Sequence, residues 1–233
     1  MSGGPQSLRA AGLALSYWQR RAEVVTHNLA NAETAGFRGQ HVFTEMMADG
    51  VPRVGTRTDP RAGALRQTGA PLDLAQRGEG YFVVRSGEEE SLVRTGSFTL
   101  DRDGRVVDPQ GRELMGEGGP LVLPEGPVEI DAQGRVLVAG VDVGRLRLEM
   151  PGPAVTSAAS GRTGQAALRS VGADVPVEGR TIRQGFLEDS NVQALESMVE
   201  LGMVQRSFDS VQNSLRVLDQ VLDTAVNRLG RVG

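Results

Sequence analysis

The sequence predicts an α+β protein. Long N- and C-terminal α-helices would form a coiled-coil layer, with a central, mostly antiparallel β domain. Three observations predict it. Apolar residues recur at heptad spacing at both ends of the 233-residue chain. Ten of the eleven Pro lie between residues 52 and 176, together with most of the Gly, so helix breakers fill the centre and avoid the ends. A short unit, Asp-x-x-Gly-Arg, recurs three times between β-branched runs in that centre.

At the N-terminus the apolar positions are Leu8, Ala11, Leu15, Trp18, Ala22, Val25 and Leu29, with steps alternating between 3 and 4. That is an a/d seam over three heptads, and it predicts a helix to about residue 30. The C-terminus repeats the pattern at Leu201, Val204, Phe208, Val211, Leu215, Leu218, Leu222, Ala225 and Leu229. Ser190 offers an N-cap, with Gln193 as its capping-box partner, and Gly230 a stop. A helix over 191–229 would be about 60 Å long. The spacing predicts terminal helices (1–30 with 190–233) that pair with each other or with copies of themselves.

Residues 31–71 read as an extended connector, 72–150 as the β domain and 151–189 as an extended return segment. Strand sequence stands at Tyr81–Arg85, Ser91–Arg94 and Ser97–Leu100. The repeated units begin at Asp101, Asp108 and Asp131. In each, Asp can bond its own backbone and the Gly (Gly104, Gly111, Gly134) can take positive φ, which predicts hairpin turns.

Composition excludes several functions. Every cation is Arg, and 25 Arg against 29 acidic residues leave a net charge of −4, which argues against nucleic-acid binding. With no Cys there are no disulfides, zinc–thiolate sites or iron–sulfur clusters. No apolar run is long enough to span a membrane. The opening MSGGPQ lacks a cleavable signal pattern.

Candidate chemistry reads as structure instead. Asp101 and Asp103 suggest the start of a calcium loop, but its fifth and twelfth positions would be Arg105 and Arg112. Gly78-Glu79-Gly80 precedes a strand rather than opening a helix, so it reads as a turn or bulge and not as a phosphate loop. For His27 and His41 the sequence shows no convergent set of residues of the kind acid–base or metal chemistry needs. Glu88–Glu90 reads as a solvated hairpin tip. No catalytic residue, metal, cofactor or small-molecule substrate is expected.

Four stretches together carry a resemblance. Asn28-Leu-Ala-Asn31-Ala-Glu-Thr34-Ala-Gly36-Phe37-Arg38 resembles a signature of bacterial flagellar rod and hook proteins, "NNLANxxTxGFK", with His27 and Arg38 at two variant positions. Thr68 to Ala75, followed by Gly78 to Phe82, is similar to "TGNPLDLAIxGxGFF". Arg94 to Gly104 is similar to "RxGxFxxDxDG". Gln184-Gly185-Phe186-Leu187-Glu188-x-Ser190-Asn191-Val192, with Met198-Val199 and Gln205-Arg206-Ser207-Phe208 beyond it, resembles "GxLExSNV…MV…QRxF". The four stand in order over residues 28–208. The short stretch from Phe37 to Pro71 looks most like the proximal-rod branch of the family, with the distal-rod branch as the alternative.

The resemblance implies a structural subunit of the flagellar basal-body rod, assembling through its terminal helices into a hollow axial tube. It implies as partners other copies of the chain, other rod proteins, the membrane ring and the flagellar export apparatus. It also implies an extracytoplasmic place in the basal body, reached by flagellar type III export without a cleaved signal peptide. The implied interface residues are Leu8, Leu15, Trp18, Val25, Asn28, Leu29, Asn31, Thr34, Gly36 and Phe37. Towards the other end they are Gly185, Leu187, Ser190, Asn191, Val192, Leu201, Gln205, Arg206, Phe208, Val211, Leu215, Leu218 and Leu222. A coiled-coil adaptor with a β binding module, or a carbohydrate- or lipid-binding β domain, would compete with this reading. Tyr81, Phe82 and Phe98 are the aromatics such a ligand site would have to use.

Overall fold

A computed structural model describes residues 4–47, 51–78, 80–150, 168–169 and 174–229. The chain divides into two compact units. Unit 1 comprises Met1–Leu29, Gln40–Asp59 and Gln193–Gly233; unit 2 comprises Ala30–Gly39 and Pro60–Val192.

Unit 1 holds two helices, α1 (Gly4–Ala30) and α2 (Ala194–Leu229), and a hairpin of β1 (Gln40–Met46) and β2 (Pro52–Thr58). The helices carry the apolar periodicity that the sequence shows. Among the described residues no long terminal coiled-coil layer is evident, and this corrects the expected architecture, although the α+β reading with a β domain fits. A coiled-coil knob is enclosed by four residues of the facing helix and is buried. Here full burial on the predicted seams reaches only Val25 and Val204 among the described residues. Leu15, Trp18, Leu29, Leu201, Phe208, Val211 and Leu215 stay half-buried. The side chains of Leu8, Leu218 and Leu222, and the stop at Gly230, lie outside the described residues.

The hairpin supplies the physical reason. Val42 of β1 lines a cavity of about 110 Å³ with Tyr17, Arg21, Val24 and Val25 of α1 and Glu200 of α2. The buried side of α1 is thus shared between a helix and a hairpin, not given to one helical partner. Arg21 Nε and Nη2 both donate to Glu200 Oε1, at 2.9 and 2.7 Å, and tie the two helices at that level.

Residues 40–58, expected as connector, form this hairpin in the register Gln40↔Thr58 to Met46↔Pro52. Phe43 lies over Gly55, opposite it in the ladder, and Arg57 stacks 5.2 Å from the Phe43 ring centroid. Helix α2 begins at Ala194 rather than 191; Ser190 Oγ instead accepts from the amide of Val192, 3.1 Å away. Among the described residues no helix is long and apolar enough to cross a membrane.

Unit 2 is strand-rich. Its strands are β3 (Leu65–Gln67), β4 (Leu74–Gln76), β5 (Tyr81–Ser86), β6 (Glu89–Val93), β7 (Thr99–Leu100), β8 (Val106–Val107) and β9 (Glu113–Gly116). They continue as β10 (Gly119–Pro120), β11 (Val128–Ile130), β12 (Arg135–Val138), β13 (Val141–Arg145), β14 (Leu148–Glu149), β15 (Leu168–Arg169), β16 (Ile182–Gln184) and β17 (Phe186–Glu188). The main sheet runs β15-β6-β5-β9-β8-β7, with β14 also on β5 and β10 on β9. A second sheet is β11-β12-β13, and two pairs, β4–β16 and β3–β17, join distant segments. All described pairs are antiparallel. Residues 151–167 and 170–173 of the expected return segment lie outside the described residues.

The three Asp-x-x-Gly-Arg units close three hairpins, β7–β8, β8–β9 and β11–β12. In each, one Asp carboxylate oxygen accepts from two amides of its own turn, all at 2.9 Å: Asp103 and Arg105, Gln110 and Arg112, Gln133 and Arg135. Gly104, Gly111 and Gly134 take φ of 76°, 77° and 83°, where a Cβ would strain the turn. These carboxylates are engaged by the backbone, which accounts for Asp101 without a metal. Leu74, Phe82, Leu114, Leu146 and Leu148 form the centre of the core, with Phe98 edge-on to Phe82 at 5.6 Å.

Candidate functional site

The residues of the four sequence motifs fall into two groups, one in each unit.

In unit 2 the motifs converge on a buried ion pair. Arg94, one residue beyond β6, and Glu188, at the end of β17, have side chains only 3% and 2% exposed. Arg94 Nε donates to Glu188 Oε2 at 2.7 Å. Its Nη2 donates to the carbonyls of Gln76 and Gly78 at 2.6 and 2.8 Å, and its Nη1 to that of Gly80. Gly78 and Gly80 adopt φ of 106° and 116°, conformations that L side chains rarely reach. Gly78 and Gly80 are therefore part of an arginine cage. The other carboxylate oxygen of Glu188 accepts from the amide of Gly63 at 3.2 Å and lies 3.6 Å from Arg38 Nη2. The Tyr81 ring lies within 5.9 Å of both guanidinium groups. Burying two charges is tolerated only when their remaining donors and acceptors are also satisfied, and this cage satisfies them.

The neighbouring backbone is packed to match. The Gly36 amide donates to the Glu188 carbonyl at 2.6 Å, and a Cβ on Gly36 would stand 2.6 Å from the Thr95 nitrogen. Asn191 Oδ1 accepts from the Gly39 amide at 2.8 Å, its Nδ2 donates to the Arg61 carbonyl at 2.9 Å, and its amide donates to the Phe37 carbonyl at 3.3 Å. Gly185 donates to the Asp73 carbonyl and accepts from the amides of Thr68 and Gly69. Phe37, Asn31 and Leu187 are buried; Thr34 turns back on Asn31 through its amide and hydroxyl; Val192 is half-buried. These predicted interface residues are thus brought together inside one unit of one chain.

In unit 1, Asn28 brackets Gln40: its Nδ2 donates to the Gln40 carbonyl at 2.8 Å, and its Oδ1 accepts from the Gln40 amide at 2.9 Å. That side chain replaces a strand partner at the start of β1. Gln205 and Arg206 are exposed on α2. Sequence reasoning missed a second apolar face on the same helix. Leu195, Met198, Val199 and Met203 are 74, 57, 56 and 50% exposed. Their spacing of three, four and eight residues from Leu195 places them on one face. The spacing is legible in the sequence, but it lies beside the a/d seam and merges with it.

Other charged side chains of unit 2 pair too, among them Glu113 with Arg85 and Arg105. Glu113 is held below its ordinary carboxyl pKa, first by the hydrogen bond from Arg85 and then by that from Arg105.

A discontinuous fold that gathers its motif residues into two groups, one of them around a buried ion pair, and an exposed apolar helix face mark a structural, assembly-type chain. Two family models match it: the flagellar basal body rod FlgEFG protein C-terminal region over residues 183–229, and the flagellar hook protein FlgE/F/G D1 domain over residues 75–138. The chain is 32% identical to the flagellar basal-body rod protein FlgF of Rhizobium meliloti, over 91% of this chain and 92% of that one. It is 30% identical to FlgF of Caulobacter vibrioides over 92% and 94%, and 26% identical to the rod protein FlgG of Bacillus subtilis over 95% and 98%. The chain belongs to the flagellar FlgE/F/G rod and hook family. Within that family it is a rod protein of the FlgF type.

Proposed function

We propose that this rod protein assembles through the outward faces of its terminal helices with other copies of itself and with other rod proteins, forming part of the hollow axial tube of the flagellar basal body. The tube transmits torque and passes exported subunits. The observation that carries the assembly role is the exposed stripe Leu195, Met198, Val199 and Met203 on α2. Burying a side chain of this size is worth roughly 1.5–3 kcal/mol, so four in one stripe favour a partner strongly. The half-buried seam residues of α1 and α2 add further surface that a neighbour can cover.

The same reading places the chain outside the cytoplasm, next to the membrane ring, after export by the flagellar type III apparatus without a cleaved signal. It assigns the chain no catalytic step. The carboxylates of Asp101, Asp108 and Asp131 serve turns, and Glu188 serves the arginine cage. The test is mass spectrometry of purified hook–basal bodies from wild type and from a strain lacking the gene. The chain should be present in the first, and the second should stop before rod and hook. Complete flagella in the deletion strain would refute the assembly role.

A further inference from the structure

Unit 2 is stitched from two kinds of contact. Its meander closes locally: β5 pairs with β6, β7 with β8 and β8 with β9 through short turns. Its seam does not. β3 pairs with β17 and β4 with β16, so the beginning of the unit meets its end. Arg66, within β3, and Asp189, one residue past β17, are 123 residues apart in the chain, and Arg94 and Glu188 are 94 apart. Such contacts form only after a large loop has closed, and local ones do not wait for it.

We infer that the Arg94–Glu188 pair is a closure latch, which locks residues 182–191 onto the rest of unit 2 in a step separate from formation of the meander. Four observations carry this. The pair is buried, and it joins the meander, at the end of β6, to the last strand of the seam. Arg94 also gathers the carbonyls of Gln76, the last residue of β4, and of Gly78 and Gly80 beyond it, so one side chain holds a strand of each seam pair, β4 and β17. Glu188 draws in Gly63 and Gly36 through its carboxylate and its carbonyl. The core residues Phe82, Val84 and Leu114 belong to the meander itself and do not depend on Glu188 for their strand partners.

The consequence rests on the export reading above. A chain threaded unfolded through a narrow bore cannot latch unit 2 until residues 36–67 and 182–191 have both emerged, whichever end leads. Within unit 2 only locally paired strands, the meander and the β11-β12-β13 sheet, can form earlier, and premature compaction in the bore is thereby limited.

The test is amide hydrogen exchange on the purified full-length chain, read by mass spectrometry, for wild type and Glu188→Gln. This substitution keeps the shape and strands the Arg94 charge. Peptides over 65–76 and 182–188 should lose protection roughly 100-fold or more, whereas those over 81–86 and 106–116 should keep theirs to within a few-fold. Uniform loss across unit 2, or no loss, overturns the latch. Arg66→Ala, which removes the solvent-exposed Arg66–Asp189 pair on the same seam, should leave protection nearly unchanged; an equal opening would assign the seam to general packing instead. If Glu188→Gln does not fold, wild type in low urea decides. Seam amides should then exchange through a smaller opening than meander amides, and exchange of both only by global unfolding refutes the proposal. These measurements need no export. If the chain were instead found to leave the cell by another route, the export reading would fail and the latch would stand.

Discussion

Unit 2 buries Phe82, Val84, Leu92, Leu114, Leu146 and Leu148 completely, whereas in unit 1 the described apolar residues that reach full burial are Val24, Val25 and Val204. The contrast is one of ownership. Unit 2 builds a large apolar core within the chain, with Leu100, Val122 and Val141 left exposed at its surface. Unit 1 commits two long helices to a small core and leaves Leu195 and Met198 in water. A helix gains most of its stability from packing its apolar face, so unit 1 should be the weaker unit in the free chain and should gain order where neighbours cover it. Four predictions would break or sharpen that contrast.

The largest effect is expected at Gly96. A Cβ there would stand 1.4 Å from the carbonyl oxygen of Leu74, and the Leu74 amide donates to the Gly96 carbonyl at 2.8 Å. Neither backbone can retreat without breaking the β4 edge. Gly96→Ala should cost more than about 4 kcal/mol and unfold unit 2 at room temperature. Thermal melting followed in the near-ultraviolet, where Tyr81 and Phe82 report on unit 2, would check it. A cooperative melt near wild type would mean that this core is more plastic than its burial states.

Asn28→Ala comes next and falls in unit 1. It removes two hydrogen bonds to the backbone of Gln40 and leaves that amide and carbonyl unpaired beside α1. A cost of about 1–3 kcal/mol is expected, confined to the hairpin β1–β2. Hydrogen exchange at residues 40–46 and 52–58 would detect it, and unchanged protection there would sink the bracketing role.

The legible and the hidden parts of the molecule divide along the same lines. The turns at Asp101, Asp108 and Asp131 could be read because their whole chemistry lies within five residues: one carboxylate, two amides and one Gly at positive φ. The terminal helices could be read because apolar spacing is a local property. Their partner could not, since an a/d stripe states that a face is buried without stating by what, and here a hairpin takes a share. That hairpin was hidden in a connector because Val42, Phe43, Val54 and Thr56 sit in strands that stay half-buried or exposed throughout, so their apolar pattern does not stand out from loop sequence. The arginine cage was illegible for a different reason. Arg94, Glu188, Gly78 and Gly80 were visible as letters of motifs, but what they do depends on contacts 94 residues apart that only the fold creates.

A smaller effect should appear in acid. Glu113 carries a folded-state pKa below its ordinary value, because Arg85 and Arg105 both bond it. A group whose pKa is lowered by folding adds stability above its unfolded pKa and loses that contribution as pH falls through the folded one. Unit 2 should therefore lose part of its stability below about pH 4.5, and Glu113→Gln should flatten that part of the profile. Urea midpoints at pH 7 and pH 3 for both chains would test it. Parallel profiles would show that the pair is too solvated to matter.

The smallest effect on the free chain is expected where the effect on assembly is greatest. Met198 is 57% exposed, so Met198→Asp places a charge in water and should change the stability of the isolated chain by no more than about 0.5 kcal/mol. In the rod the same side chain would meet the apolar surface of a neighbour, where an unpaired carboxylate must either shed its water at high cost or hold the two surfaces apart. The variant should melt like wild type and yet be missing from purified hook–basal bodies, with loss of swimming. Incorporation at wild-type levels would show that this face of α2 stays in water in the assembled rod, and that the apolar surface unit 1 leaves open is covered elsewhere, along the half-buried seam of Leu201, Phe208 and Leu215. A variant that failed to fold alone would instead erase the contrast between the two units, because it would mean that α2 already depends on this face within the single chain.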